Sequence, residues 1–122
     1  MTFSEYEQLA QRTSNTETWH DKLENAIYGL VGEVGEIVDL WKKYRFQGHP
    51  LDVVAIHEEL GDVLWYIVEC IRGADLYSRA PDAEGMDEVP YYSLDIVAKE
   101  NIKKLRRRYP DGFDAERSIH RV

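Results

Sequence analysis

Residues 20–44 read HDKLENAIYGLVGEVGEIVDLWKKY. Apolar side chains fall at Leu23, Ile27, Leu30, Val34, Ile37, Val38 and Trp41, the i, i+3, i+4, i+7 recurrence of one helical face. From Leu51 the pattern resumes with Val53, Ile56, Leu60, Val63, Leu64, Ile67, Val68 and Ile71. Asp52 stands just before it, where an N-cap belongs. Gly48-His49-Pro50 separates the two stretches and predicts a turn. Two long apolar-faced helices joined by a short turn make the chain all-α. Working outward, about Phe3 to Gln11 carries Tyr6, Leu9 and Ala10, with Thr2 or Ser4 as cap. About Ser93 to Arg108 carries Leu94, Val97, Ala98, Ile102 and Leu105 and ends before Pro110. The four prolines, at 50, 81, 90 and 110, leave every one of these helices uninterrupted.

The expected fold is an all-α helical bundle of about four main helices in one domain over residues 1–122. Residues 78–92, with Pro81, Gly85, Pro90 and the acids Asp82, Glu84, Asp87 and Glu88, are expected to form an inserted surface loop. The polar tail 111–122 is expected to be partly extended. Trp41, on the apolar stripe, is expected in the core. Trp65, off the main stripe of its helix, is expected at an interface or stacked on a ligand.

The 122 residues are 43% hydrophobic and 31% charged, a globular balance that supports one core. Fifteen Lys+Arg against 23 Asp+Glu give a formal net charge of −8. That argues against a duplex nucleic-acid partner, whose binding needs cations to displace counterions. No apolar run reaches the roughly 18 residues of a membrane span, and the first residues do not resemble a secretory signal. Cys70 is the single cysteine and cannot form an intrachain disulfide. No Cys/His set has zinc spacing. A reducing, cytoplasmic setting is expected.

Chemistry concentrates in two acidic sets, Gly32-Glu33-Val34-Gly35-Glu36 and Glu58-Glu59-Leu60-Gly61-Asp62. Each places acids at i and i+3, neighbours that repel on a helix surface. At about 100° per residue, Glu33 lies at the edge of the apolar face beside Ile37 and Leu40. Glu59 lies between Val63 and Tyr66. If the helices pack as a hairpin, the acids converge, and crowded carboxylates at a core edge call for a cation. Oxygen ligands suit a hard ion, Mg²⁺ first and Mn²⁺ second. Spacing alone is equally consistent with a solvated charged face. Gly29, Gly32, Gly35 and Gly61, each costing about 1 kcal/mol against Ala within a helix, leave room for a ligand or for close helix packing. On the last helix, Lys99, Lys103, Lys104, Arg106, Arg107 and Arg108 form a basic run. Asn101, Lys104 and Arg108 share one face there, suited to phosphate. Trp19, His20, Trp41, Trp65, Tyr66 and Tyr109 are candidates to stack on a base.

The E-x-x-E and E-x-x-D pairs, with Asn101-Ile-Lys-Lys104-Leu-Arg-Arg-Arg-Tyr109-Pro-Asp-Gly-Phe113, resemble the MazG-like all-α nucleoside triphosphate pyrophosphohydrolases. The resemblance spans roughly 3–77 and 93–121; the segment 78–92 departs from it. It implies Mg²⁺-dependent hydrolysis of a (deoxy)nucleoside triphosphate to monophosphate and pyrophosphate, in the house-cleaning of nucleotide pools. It implies Glu33, Glu36, Glu59 and Asp62 as metal ligands, and Glu58 and Glu59 in catalysis. Asn101, Lys104, Arg108, Trp19 and His20 become expected substrate contacts. It also implies a homo-oligomer, dimer or tetramer, with sites at subunit interfaces. The alternatives are a narrower pyrophosphatase of dUTP/dCTP or phosphoribosyl-ATP type, and a non-catalytic helical oligomerisation module. A di-iron bundle wants two Glu-x-x-His pairs; Glu17-Thr-Trp-His20 is the one fit, which rejects it.

Overall fold

A computed structural model describes residues 1–80 and 92–121 of the chain. Among these residues there are five helices and no strand: α1 (Phe3–Gln11), α2 (Trp19–Phe46), α3 (Val53–Ser78), α4 (Leu94–Arg108) and α5 (Ala115–Ile119). The all-α expectation holds, with four substantial helices. The expected loop at 78–92 lies, over 81–91, outside the described residues.

Each helix begins at a side-chain oxygen that takes an otherwise unpaired backbone N–H. Thr2 caps α1 in a reciprocal box with Glu5. Thr18, Asp52, Ser93 and Asp114 cap the other four. The α2 helix ends as the glycine predicts: Gly48 takes φ +74°, and the His49 N–H returns to the Lys43 carbonyl at 3.2 Å. The tail, expected to be partly extended, carries the short helix α5, which starts at the Asp114 cap.

α2 and α3 form an antiparallel hairpin, shown by rising α2 numbers meeting falling α3 numbers. Trp19 stacks on Tyr77 at 4.7 Å, Leu23 abuts Gly73 and Gly29 abuts Tyr66. α1 lies against α3 and α4. The apolar core is small: Ala10, Val68, Ile71 and Leu94, with Tyr6, Leu64, Trp65, Ile67 and Tyr92 around it.

Buried polar groups do much of the joining. The Lys22 ammonium meets Glu69 at 3.3 Å, with both side chains almost fully buried. Gln11, Ser14 and Thr16 also donate to the Glu69 carboxylate, at 2.6, 2.9 and 3.2 Å. One buried carboxylate thus ties α1, the 12–18 linker, α2 and α3 together. A second tie docks α4. Glu7 of α1 accepts the Leu94 N–H and an Arg72 N–H at 3.1 Å. Arg72 also donates to the Tyr92 carbonyl at 2.6 Å, and Asp75 accepts the Tyr92 N–H at 3.0 Å.

Trp41 is a correction: it is 52% exposed, not core. The apolar residues of α2 form two stripes where the sequence reading saw one. Ala26, Leu30, Ile37 and Leu40 face inward, while Ile27, Val31, Val34, Val38 and Trp41 are exposed. Both stripes step by three and four, so both fit a helical period.

Candidate active site

The inward stripe of α2 explains Glu33. The positions Ala26, Leu30, Glu33, Ile37 and Leu40 repeat every three or four residues, so Glu33 takes a place that packing would give to an apolar side chain. Across the hairpin, Glu59 and Asp62 stand one turn apart on α3. One carboxylate oxygen from each of Glu33, Glu59 and Asp62 lies within 4.8 Å of the others. Glu33 and Glu59 are half-buried and Asp62 is exposed.

Partial burial holds the Glu59 carboxyl above its ordinary range, helped by a hydrogen bond with Glu33 and the charges of Glu33, Glu36 and Asp62. The charges acting on Glu59 among the described residues are all negative. The donor set therefore fits a hard divalent cation: all oxygen, three carboxylates from two helices, an uncompensated negative field and an open approach. Glu36 is exposed and contributes its charge from one turn away, outside the closest set. Glu58 is exposed and also outside it.

Glu33, Asp62, Trp65 and Tyr66 line an open groove of about 350 Å³. Trp65 is half-buried and pinned to α1, donating its indole N–H to Thr13 Oγ1 at 2.8 Å and to the Ala10 carbonyl at 3.3 Å. Its ring meets Tyr66 edge-on at 5.0 Å. Tyr66 in turn lies over Gly29, where a Cβ would come within 2.2 Å of its ring. Gly29 is thus a close-packing glycine, while Gly32, Gly35 and Gly61 face open space. Tyr6 is a residue the sequence did not single out for the site. Its hydroxyl is held above the usual range by burial and by the Asp62 charge. Only the α1–α3 packing brings it there, and no spacing rule in the sequence reports that contact.

The remaining expected contacts lie elsewhere on one chain. Trp19 and His20, 4.2 Å apart, begin α2; fourteen residues of helix place them roughly 21 Å from Glu33 along its axis. Asn101 and Lys104 line a separate groove with Tyr92, Ile96, Val97 and Glu100. Arg108 lines a third cavity with Arg107, Arg117 and His120.

Residues 21–113 match the family model of the MazG nucleotide pyrophosphohydrolase domain. The chain belongs to that family. The match includes α2 from its first turn, all of α3 and α4, and the Tyr109–Phe113 turn. Neither the curated proteins nor the solved structures gave a match. This MazG domain carries its acidic cluster inside the matched region and its α1, which supplies Tyr6, outside it. No described helix is long and apolar enough to cross a membrane.

Proposed function

We propose that this MazG domain hydrolyses a (deoxy)nucleoside triphosphate to the monophosphate and pyrophosphate in a Mg²⁺-dependent reaction, with Mn²⁺ as a substitute. The carboxylates of Glu33, Glu59 and Asp62, gathered within 4.8 Å of one another, carry the reading. Glu33, Glu59 and Asp62 would hold the metal, with Glu36 as a fourth ligand within a short side-chain movement. A divalent ion held there would supply charge stabilisation for the phosphoryl oxygens in an in-line displacement. The chain's own groups do the rest. A new P–O bond forms from water, the bridging P–O bond breaks, and pyrophosphate leaves with the electron pair. The water proton would pass to a nearby carboxylate, Glu58 or an oxygen of Glu59 that does not hold the ion.

Asn101 and Lys104 would bind phosphate or sugar, and Arg108, Trp19 and His20 would contact substrate. Since none of these meets the acids within one chain, a second copy supplies them, as the family resemblance implies. Exposed surface supports a homo-oligomer. The chain exposes 9166 Å², about a third more than a compact monomer of its mass. The stripe Ile27, Val31, Val34, Val38 and Trp41, stepping four and three, suits the seam between two such hairpins. Nucleotide-pool house-cleaning is the role this activity would serve.

The test is a panel of canonical and damaged triphosphates, dUTP, dCTP and phosphoribosyl-ATP included, assayed with Mg²⁺ and again with EDTA. Monophosphate and pyrophosphate in equal amounts, lost with EDTA, is the expected result; a single reactive nucleotide would assign the narrower specificity. No release from any nucleotide would leave the domain as a non-catalytic helical module.

A further inference from the structure

The end of α1 holds one wall of the acidic groove. The Trp65 indole N–H is shared between Thr13 Oγ1 at 2.8 Å and the Ala10 carbonyl at 3.3 Å. Thr13 donates its own hydroxyl to the same carbonyl at 2.7 Å, and its backbone N–H reaches that oxygen at 3.0 Å. A threonine hydroxyl has one donor and two acceptor positions. With its proton on the Ala10 side, Oγ1 presents a lone pair to the indole. This contact joins residues 52 apart in sequence and fixes Trp65 at its N–H edge. Tyr66 meets the same ring edge-on at 5.0 Å and lies over Gly29. One ring of the groove is therefore anchored by α1 and the other by α2. Burial and the Asp62 charge hold the Tyr6 hydroxyl above its usual range, so α1 borders the acids at a second point. Both α1 and Thr13 precede the family match at 21–113.

The groove lining divides into two acids, Glu33 and Asp62, and two aromatic rings, Trp65 and Tyr66. Phosphates drawn to a cation at the acids leave the uncharged nucleoside part of a substrate beside the rings, which offer apolar area and no positive charge. We infer that Thr13 is a positioning residue: acting through Trp65, its hydroxyl fixes the aromatic wall on which the nucleoside part of the substrate rests. The inference rests on the reaction proposed above. A ring already held in place loses less rotamer freedom when a ligand settles on it, which strengthens binding. The contribution is the same before and during the chemical step, so its loss raises KM and leaves kcat.

The test compares full-length wild type with Thr13→Val, which removes the hydroxyl, and Thr13→Ser, which keeps it. Each ¹⁵N-labelled protein is titrated in Mg²⁺ with α,β-imido analogues of the triphosphates in the panel, which bind without being cleaved. Calorimetry gives the affinity, and the Trp65 Nε1–Hε1 resonance, assigned with Trp65→Phe, gives the location. KM and kcat are measured with the corresponding triphosphates. The expected wild-type result is saturable binding that moves the Trp65 resonance. Thr13→Val should bind about threefold to tenfold more weakly, as loss of one hydrogen bond implies. Its KM should rise by a similar factor, with kcat within about twofold of wild type. Thr13→Ser should restore both affinity and KM. Ser14→Ala, which removes the neighbouring 2.9 Å bond to Glu69, should lower stability and leave affinity and KM unchanged, separating positioning from folding. That pattern of affinities without turnover would uphold the role of Thr13 and refute the hydrolysis. Equal affinity in wild type and Thr13→Val, equal losses in Thr13→Val and Thr13→Ser, an unmoved Trp65 resonance, or no binding of any analogue would overturn the role.

Discussion

Gly29 and Gly32 sit one turn apart on α2 with opposite surroundings. An added Cβ at Gly29 would lie 2.2 Å from the Tyr66 ring, whereas at Gly32 it meets nothing within 4 Å. Overpacking costs about 1–3 kcal/mol, while alanine's helix propensity contributes about 1 kcal/mol in the other direction. Gly29→Ala is therefore expected to melt below Gly32→Ala, which should melt at or above the wild type. Because Tyr66 lines the acidic groove, Gly29→Ala should also lower turnover. Equal melting temperatures in the two variants would mean that Tyr66 does not need that glycine. Sequence could show that these glycines were anomalous in a helix, but not which one a neighbour occupies. That depends on the register of α3 across the hairpin. Glu33 was legible for the converse reason: its place on an inward helical period is set within α2 alone. Tyr6 was illegible because its tie to Asp62 runs through α1–α3 packing.

At the scale of elements, the hairpin and the docking helix are joined by buried charges as much as by apolar contact. The Lys22–Glu69 pair is the clearest case, with side chains 6% and 1% exposed. Removing one partner from a buried pair leaves an unmatched charge, which costs about 3–5 kcal/mol. Lys22→Met should lose that much in urea unfolding, read as a shifted midpoint with an unchanged slope. A loss under about 1 kcal/mol would show that water reaches Glu69 and compensates it. The helices themselves were readable from period, prolines and caps, each of which acts within a few residues. Their partners were harder. The 3.6-residue period marks a face as apolar without saying what covers it, which is why Trp41 read as core and is exposed.

At the scale of the whole molecule, the second apolar stripe of α2 is left uncovered by the other described residues. The α2 stripe alone leaves Ile27 50%, Val31 72%, Val34 48%, Val38 60% and Trp41 52% exposed. Light scattering is expected to give at least twice the 14.2 kDa chain mass. Val34→Asp with Val38→Asp should shift the particle toward one chain and lower its stability, since buried carboxylates on a two-chain seam are strongly disfavoured. A 14 kDa wild-type particle at micromolar concentration would leave the stripe to another partner.

The shared carboxylate site is the centre of the proposed chemistry. Pyrophosphate release from a good triphosphate substrate at saturating Mg²⁺ tests it most directly, comparing wild type with Glu36→Gln, Glu59→Gln and Glu116→Gln. Gln keeps size and a carbonyl oxygen but loses the charge that a hard cation favours. Glu59→Gln and Glu36→Gln should each lose about tenfold to a hundredfold or more of turnover. Circular dichroism should show the fold intact, because removing a charge relieves the repulsion at Glu59. Glu116→Gln, on α5 outside both the acidic cluster and the matched region, should be nearly silent. Near wild-type rates in both Glu36→Gln and Glu59→Gln would contradict the site.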